Sequence, residues 1–170
     1  MTRLAEGGRT DTASRTIAAP PSAIYRAFLA GDSLTAWLPP AGMTGRLEAF
    51  DPVAGGRFRI VLAYDDPGPS KPGKTTDATD VVDGRFVELD PDARIVWAVS
   101  FDSDDEAFAG EMRMTWSFSP VPGGTEVRVV CENVPEGIRP EDHEVGLQST
   151  LANLAGFVEG LPPRSRVPSR

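Results

Sequence analysis

The segment PEDHEVGLQSTLANLAGFVEG, residues 140–160, decides the fold because its apolar residues recur every three or four positions. This spacing predicts one amphipathic helix that begins at Pro140 and ends near Gly160. At about 1.5 Å per residue the helix is roughly 27–30 Å long, enough to cross a sheet. Its apolar stripe consists of His143, Leu147, Leu151, Leu154 and Val158. Such a stripe must be buried against another element.

The chain before this helix has the period of β-strands. Six segments alternate apolar and polar residues: TGRLEAFD (44–51), GGRFRIVLAY (55–64), TDVVDGRFVEL (79–89), ARIVWAVSF (93–101), GEMRMTWSFS (110–119) and TEVRVVCEN (125–133). Turns rich in Gly, Pro and Asp separate most of them, which predicts an antiparallel meander. One connection, from Asp65 to Thr79, is long enough to be either functional or disordered.

The N-terminal part predicts one more strand and two short helices. Residues 11–18 suit a strand and are followed by Pro20 and Pro21, which favour a helix start. The first helix is predicted over residues 22–30, ended by Gly31, and the second carries Leu34, Trp37 and Leu38. The fold class is therefore α+β, a curved antiparallel sheet of about seven strands wrapped around a long C-terminal helix. Residues 11–160 form the domain, residues 1–10 are expected to be a disordered tail, and residues 161–170 a flexible one.

Alternation assigns the strand faces. One face is strongly apolar, the other is polar and wet, and the long helix is the element left to cover the apolar one. The side chains between helix and sheet either interdigitate as a packed core or line a cavity. The candidate ligand-binding residues are Trp37, Phe58, Ile60, Leu62, Phe86, Trp97, Val99, Met112, Met114, Trp116, His143, Leu147, Leu151 and Leu154.

Composition excludes several functions. The net charge of −8 and the pI of about 4.7 oppose binding to a phosphate backbone, so nucleic acid is not an expected partner. No apolar segment is long enough to span a membrane, and the N-terminus lacks the apolar core of a signal peptide. A single cysteine, Cys131, suits a reducing compartment, so a cytoplasmic location is expected.

Few residues of the chain are candidates for metal binding or catalysis. One histidine and one cysteine far apart cannot supply a structural zinc site, and neither a calcium loop nor a G-x-S-x-G nucleophile motif occurs. No metal and no cofactor is expected. His143 is the one candidate for acid–base work or for a hydrogen bond to a ligand. The alternative is a residue at the helix start that is partly solvated or paired with a neighbouring carboxylate.

The order of elements resembles the helix-grip fold of the START-like (SRPBCC) superfamily, which includes the birch-pollen allergen type and the polyketide cyclases. Local motifs are similar to its bacterial branch related to the activator of the ninety-kilodalton heat-shock protein's ATPase. The matching motifs are IAAP (17–20), IYRAF (24–28), AWL (36–38), DP (51–52) with GGRF (55–58), GRFVE (84–88), Ile95 with Trp97, GTEV (124–127) and HEVG (143–146). Together they cover essentially residues 11–160.

The resemblance implies a cavity between helix and sheet that holds lipids, sterols, polyketides or other apolar molecules. A binding protein without defined catalysis is therefore the leading hypothesis, in a monomer or a homodimer. The first alternative is a cyclase or dehydratase that uses the same cavity with His143 as proton shuttle. The second is a chaperone-interacting stress-response module, which rests on fold analogy alone.

Two features depart from the family pattern. The family commonly has Trp directly after the helix glycine, whereas this chain has Leu147 after Gly146. A smaller residue at this position would widen a pocket. The segment between Asp65 and Thr79 is longer than the tight hairpin usual there, and a segment of that kind would suit a position over a cavity mouth.

Overall fold

The computed structural model describes residues 9–40, 42–65, 79–103 and 105–160. It contains seven strands: β1 (Arg9–Ile17), β2 (Met43–Phe50), β3 (Arg57–Tyr64), β4 (Thr79–Asp90), β5 (Arg94–Phe101), β6 (Met112–Val121) and β7 (Gly124–Val134). The helices are α1 (Pro21–Ala27), α2 (Gly31–Trp37) and α3 (Pro140–Glu159), with a 3-10 turn at Glu106–Phe108. The predicted C-terminal tail and most of the Asp65–Thr79 connection lie outside the described residues. So does the predicted N-terminal tail, except for Arg9 and Thr10, which begin β1.

All seven strands belong to one antiparallel sheet in the order β1-β7-β6-β5-β4-β3-β2. Strands β2 to β7 form the predicted meander, and β1 pairs with the outer edge of β7. Register shifts interrupt the pairing in β1, β2 and β4, as expected of a strongly curved sheet. The predicted fold class, a curved sheet with two short helices and a long C-terminal helix, is confirmed.

Helix α3 lies along β1 and packs against α1 and α2. Near its start the His143 side chain contacts Asp11 of β1, and near its end the Glu159 carboxylate accepts a hydrogen bond from the Ala18 amide at 2.8 Å. The helix therefore runs in the same direction as β1. In the middle, Thr150 donates a hydrogen bond to the Leu38 carbonyl at 3.0 Å, which fixes α3 to the end of α2.

Helix α2 departs from its predicted boundary. Gly31 was expected to end the first helix, but it begins α2, and α1 ends at Ala27. A side chain at Gly31 would approach Leu47 and Phe50 of β2. A glycine at this position therefore allows α2 to approach β2 closely, and sequence periodicity does not report such tertiary packing.

The outer face of the sheet is less exposed to solvent than the alternation of the strands predicted. Val96 and Ala98 of β5 lie on that face and are nevertheless buried. Ala98 pairs with Arg85 on one side and Arg113 on the other, so two long side chains flank a small one. The aliphatic stems of arginine cover apolar neighbours while the guanidinium stays in water.

At Gly84 of β4 a neighbouring side chain packs directly on the backbone of the sheet. A Cβ atom at this position would overlap the ring of Phe58, its pairing partner on β3. The Phe58 ring lies directly on the Gly84 backbone, and its side chain is 1% exposed. Absence of a side chain at residue 84 is therefore what allows the ring to enter the core.

We expect Gly84→Ala to lower the free energy of unfolding by about 1–3 kcal/mol, since the added methyl group overpacks a rigid site. Gly156→Ala is the matched control, because a Cβ there meets nothing within 4 Å and Ala favours the helix by up to about 1 kcal/mol. Urea denaturation followed by circular dichroism measures both. Equal stability of Gly84→Ala and wild type would contradict this account of the packing.

Candidate functional site

The structure places the predicted binding residues on one continuous interior surface. Alternate residues of β3 to β6 point to the inner face, and the residues from α3 face them. Most are buried to 9% exposure or less, namely Trp37, Phe58, Ile60, Phe86, Trp97, Val99, Met112, Met114, Trp116, Leu147, Leu151 and Leu154. Leu62 is half-buried and the His143 side chain is 12% exposed. Whether these residues contact a ligand stays a prediction.

Six aromatic rings fill the interior at the end of the sheet that α1 and α2 cover. We call Phe28, Trp37, Phe58, Phe86, Trp97 and Trp116 the aromatic cluster; each is at most 1% exposed. Phe28 lies at its centre, 4.7 Å from Trp37 and 5.1 Å from Trp116 between ring centroids. Most of these contacts are edge-on or tilted, the arrangements that aromatic pairs prefer. Phe28, which directly follows the last residue of α1, was not among the predicted binding residues.

The burial of the apolar inner-face side chains decreases along β3, β4 and β5 away from the aromatic cluster. On the inner face of β3 the series runs from buried Phe58 and Ile60 to half-buried Leu62. Val82 of β4 and Phe101 of β5 are likewise partly buried. These residues lie where β3 and β5 end and where β4 and α3 begin. We call this region the open end of the sheet.

Helix α3 leaves space at the open end. Gly146 shares a helix face with Thr150 and Asn153, whose side chains bond to the carbonyls of Leu38 and Pro39 at the end of α2. One turn closer to the helix start, a Cβ at Gly146 would meet no atom within 4 Å. Among the described residues, the face that packs on α2 therefore has no neighbour at Gly146.

Polar groups surround the open end. Tyr64 ends β3, and burial raises the pKa of its phenol; the charges of Asp80 and Asp142 raise that pKa further. Asp80 is 3% exposed and pairs with Leu62 across β3 and β4. This region therefore combines apolar side chains with negative charge. Inward alternation along β4 would have identified Asp80, but the sequence does not show that it is buried.

His143 forms a partly buried polar contact with β1. Its Nδ1 lies 2.6 Å from Asp11 Oδ2, and Arg9 donates to the same carboxylate through Nε at 3.1 Å and Nη2 at 2.9 Å. Partial burial disfavours the charged form of Asp11, but the hydrogen bonds from Arg9 and His143 outweigh it, so the pKa of Asp11 lies below its ordinary value.

The ionised carboxylate determines the histidine tautomer. Because the ionised Asp11 can only accept, Nδ1 of His143 carries the proton of this hydrogen bond. Among the described residues Nε2 has no hydrogen-bond partner. The sequence alternative of a histidine paired with a carboxylate and the alternative of a proton shuttle are both compatible with this arrangement.

Two buried donors lack acceptors. Among the described residues, the indole N–H groups of Trp97 and Trp116 have no hydrogen-bond partner, whereas that of Trp37 donates to the Ala27 carbonyl at 2.9 Å. Leaving a buried donor unsatisfied costs about 1–3 kcal/mol. Both indoles belong to the inner face of the sheet, so the two unsatisfied donors lie on the candidate binding surface.

The single cysteine is not a nucleophile in this structure. Cys131 is fully buried, and burial raises the pKa of its thiol to about 12, with a contribution from the charge of Asp11. The thiol is protonated at neutral pH, and a nucleophile must be the thiolate. Within the described ranges, no group of three His, Cys, Asp or Glu side chains is arranged to hold a metal ion.

A surface cleft of about 350 Å³ lies outside this interior. It is lined by Arg9, Glu106, Ala107, Ala109, Asn133, Val134, Pro135 and Glu136. Half of these residues are charged or carry an amide, which differs from the mainly apolar lining of most small-molecule sites. In the part of the chain that the structure describes, no helix combines the length and hydrophobicity needed to cross a bilayer.

The sheet, the long helix and the interior between them define a helix-grip protein of the START-like class. A family model for Activator of Hsp90 ATPase homolog 1-like protein matches residues 18–159. The chain belongs to this family. None of the curated proteins is similar enough to count as a match.

Solved structures agree with the family assignment. Protein CV1439 from Chromobacterium violaceum is 31% identical with a TM-score of 0.76, covering 89% of this chain and 98% of that chain. A protein from Rhodobacter sphaeroides is 24% identical with a TM-score of 0.70, covering 89% and 93%. The AHSA1-like protein from Aeromonas hydrophila is 20% identical with a TM-score of 0.66, covering 93% and 97%. The last two likenesses concern the fold alone.

The contact of Asp11 with Arg9 and His143 makes the free energy of unfolding depend on pH. The pKa of Asp11 is lower in the folded chain than in the unfolded chain, so its carboxylate stabilises the fold above the unfolded pKa. This contribution is lost as the pH falls through the folded pKa. We expect Asp11→Asn to lower the free energy of unfolding by about 1 kcal/mol at pH 7, with a smaller difference below about pH 4.

Urea denaturation at several pH values measures this difference. Glu136→Gln is the control, because Glu136 is exposed and its substitution removes one carboxylate at a different place on the surface. A variant at Asp11 that is as stable as wild type at pH 7 would show that the contact contributes nothing to the fold.

Proposed function

We propose that this protein binds a small apolar ligand, such as a lipid, a polyketide or another apolar metabolite, between the open end of the sheet and the first half of α3. The observation that carries the proposal is the decrease in burial along the inner face. Strands β3, β4 and β5 are fully buried at Phe58, Phe86 and Trp97 and carry half-buried apolar side chains at Leu62, Val82 and Phe101. Membership of the family gives independent support for the binding of an apolar ligand.

The aromatic cluster limits where a ligand lies. Its rings pack on each other, so the end of the interior near α1 and α2 is occupied by the protein itself. The ligand therefore enters at the open end and contacts Leu62, Val82 and Leu147 first. Met112 and Met114 lie next to this region, and flexible methionine side chains adapt to apolar shapes.

Substitution of Gly146 by Leu tests the position of the site. We expect G146L to weaken binding of 2-acetylnaphthalene by about tenfold or more, because the new side chain occupies the space beside α3. Calorimetric titration measures the affinity. G156L is the matched control, since Gly156 belongs to the same helix, has equally open space and is exposed.

The two variants separate the possible results. Loss of affinity in G146L with normal affinity in G156L supports the proposed site. Equal affinity of both variants and wild type would place any binding elsewhere. Wild-type protein that binds neither this ketone nor a hydrocarbon of the same shape would refute the proposed function.

The His143–Asp11 pair favours an enzyme as the second candidate. A neutral imidazole with an available Nε2 can take a proton from carbon next to a ligand carbonyl, as a cyclase or dehydratase requires. The proton moves from carbon to Nε2, the electron pair passes to the carbonyl oxygen as an enolate, and Asp11 stabilises the imidazolium. Cys131 does not compete as a base, because its thiol stays protonated.

Deuterium exchange tests this candidate without a known substrate. In D₂O an enzyme of this kind accelerates exchange of the methyl protons of bound 2-acetylnaphthalene, measured by mass spectrometry. H143Q should bind the ketone normally and lose the acceleration. If the exchange rate is the same with wild type, with H143Q and without protein, the enzymatic candidate fails. The proposed binding function is unaffected by this result.

The third candidate, a chaperone-interacting stress-response module, finds less support on this surface. Large apolar side chains exposed in the described ranges are Val53 and Val145, which lie on separate elements. An interaction surface usually presents a contiguous apolar patch. The binding proposal needs one chain only, so a monomer and a homodimer are both compatible with it, and a cytoplasmic location remains part of the proposal.

A further inference from the structure

We infer that the surface cleft beside β1 is a second binding site, for a small dipolar molecule that carries an ammonium group and a carboxylate, such as an amino acid. The cleft has a volume of about 350 Å³, within the range of small-molecule sites. Charged groups of both signs line the same space. The cleft lies outside the apolar interior, so the inference goes beyond the proposed function and does not depend on it.

Hydrogen bonds fix the two walls of the cleft relative to each other. One wall is the 3-10 turn, where the Ala107 amide donates to the Asp105 carboxylate at 2.9 Å. The other wall is the end of β7 with the residues that follow it, and the Gly137 amide there donates to the Ala107 carbonyl at 2.7 Å. The Asn133 side chain donates to the Glu111 carbonyl at 2.8 Å. Walls that are already fixed reduce the entropy that a ligand must overcome on binding.

Two glutamates supply the anionic part of the lining. Glu106 belongs to the 3-10 turn and Glu136 follows β7, so each wall contributes one carboxylate. Both side chains are exposed, and among the described residues neither carboxylate forms an ion pair or a hydrogen bond. An ammonium group in the cleft can donate to these carboxylates, and such charge-assisted hydrogen bonds are about twice as strong as neutral ones.

Arg9 supplies the cationic part of the lining. Its Nε and Nη2 atoms donate to the Asp11 carboxylate at 3.1 Å and 2.9 Å, whereas Nη1 has no acceptor among the described residues. The Arg9 side chain is 29% exposed. A guanidinium group is planar and has donors on more than one edge, so one edge holds Asp11 and another can hold a ligand carboxylate. A ligand with an ammonium group alone would leave this donor unused.

The rest of the lining favours a short hydrocarbon chain between the two charged groups of the ligand. Ala107, Ala109, Val134 and Pro135 contribute apolar surface to the cleft. A sphere of the same volume is about 9 Å across, which is close to the length of an extended six-carbon chain. A suitable probe is therefore 6-aminohexanoate, which carries one charge of each sign at the two ends of such a chain.

Arg9 also connects the cleft to His143. The Asp11 carboxylate that accepts from Arg9 lies 2.6 Å from His143 Nδ1. Hydrogen bonds in a chain polarise one another, so a carboxylate bound to Arg9 changes the surroundings of the imidazole. Because His143 is the single histidine of the chain, its imidazole signals in a nuclear magnetic resonance spectrum report on this connection alone.

Three probes with the same chain length test the inference. They are 6-aminohexanoate with both charges, hexylammonium with the positive charge alone, and hexanoate with the negative charge alone. A titration followed at the amide signals of Ala107 and Ala109 measures the affinity of the cleft for each probe. We expect 6-aminohexanoate to bind about tenfold more tightly than either of the other two. It should also move the imidazole signals of His143.

Three variants assign the preference to the charged groups. E136Q removes one carboxylate of the lining, so it should weaken binding of 6-aminohexanoate without weakening that of hexanoate. E144Q is the matched control, because Glu144 is an exposed glutamate of α3 outside the lining, and it should bind as wild type does. R9Q should remove the advantage of 6-aminohexanoate over hexylammonium. Should R9Q fail to fold, the comparison of these two probes with wild-type protein still decides the question.

The outcomes separate this inference from the proposed function. If 6-aminohexanoate leaves the signals of Ala107 and Ala109 in place, the cleft is not its site and the inference fails. If hexylammonium or hexanoate binds as tightly, or if the His143 signals stay unmoved, the dipolar class and the role of Arg9 are wrong. None of these results affects the apolar site at the open end, because 2-acetylnaphthalene tests that site through other residues.

Discussion

The burial of large apolar side chains on one face of a single sheet is the constraint on which the structure depends. Strands β3 to β6 place Phe58, Phe86, Trp97 and Trp116 on their inner faces, and these rings cannot remain in water. Phe28 and Trp37 complete the cluster from the two short helices. Removing this contact would leave α1 and α2 without an apolar surface to pack on. The curvature of the sheet and the path of α3 follow from covering the same face.

The two ends of the inner face have different roles. At the end covered by α1 and α2, ring packs on ring and the interior is closed. At the open end the same strands carry smaller or half-buried side chains, polar groups and space beside Gly146. Stability therefore comes mainly from the closed end, and on the proposed function the open end receives a ligand without unfolding the domain. The Asp11–His143 contact joins β1 to α3 at the open end and keeps the helix in place there.

Much of the fold is predictable from the sequence because alternation and the helical period report which face each residue occupies. The seven strands, the long helix and the inner-face residues all follow from these two periods. The start of α2 at Gly31 does not, since it depends on contact with Leu47 and Phe50 of β2. Burial of Val96 on the outer face is equally hidden, because it depends on the neighbouring side chains across the sheet.

The candidate site is predictable in part. The period of α3 places His143 towards the sheet, but its partner Asp11 is 132 residues away in the chain, and only the fold brings the two together. The sequence also cannot distinguish Trp37, whose indole is satisfied, from Trp97, whose indole is not. That difference depends on which backbone carbonyl each ring can reach. Hydrogen-bond satisfaction is thus the part of the site that required coordinates.

The central claim is that an apolar ligand lies between α3 and the open end of the sheet. The most direct measurement is the set of intermolecular nuclear Overhauser effects between 2-acetylnaphthalene and the methyl groups of the protein. The account predicts contacts to Leu62, Val82 and Leu147. Contacts confined to Ala107, Ala109 and Val134, which line the surface cleft, would contradict it.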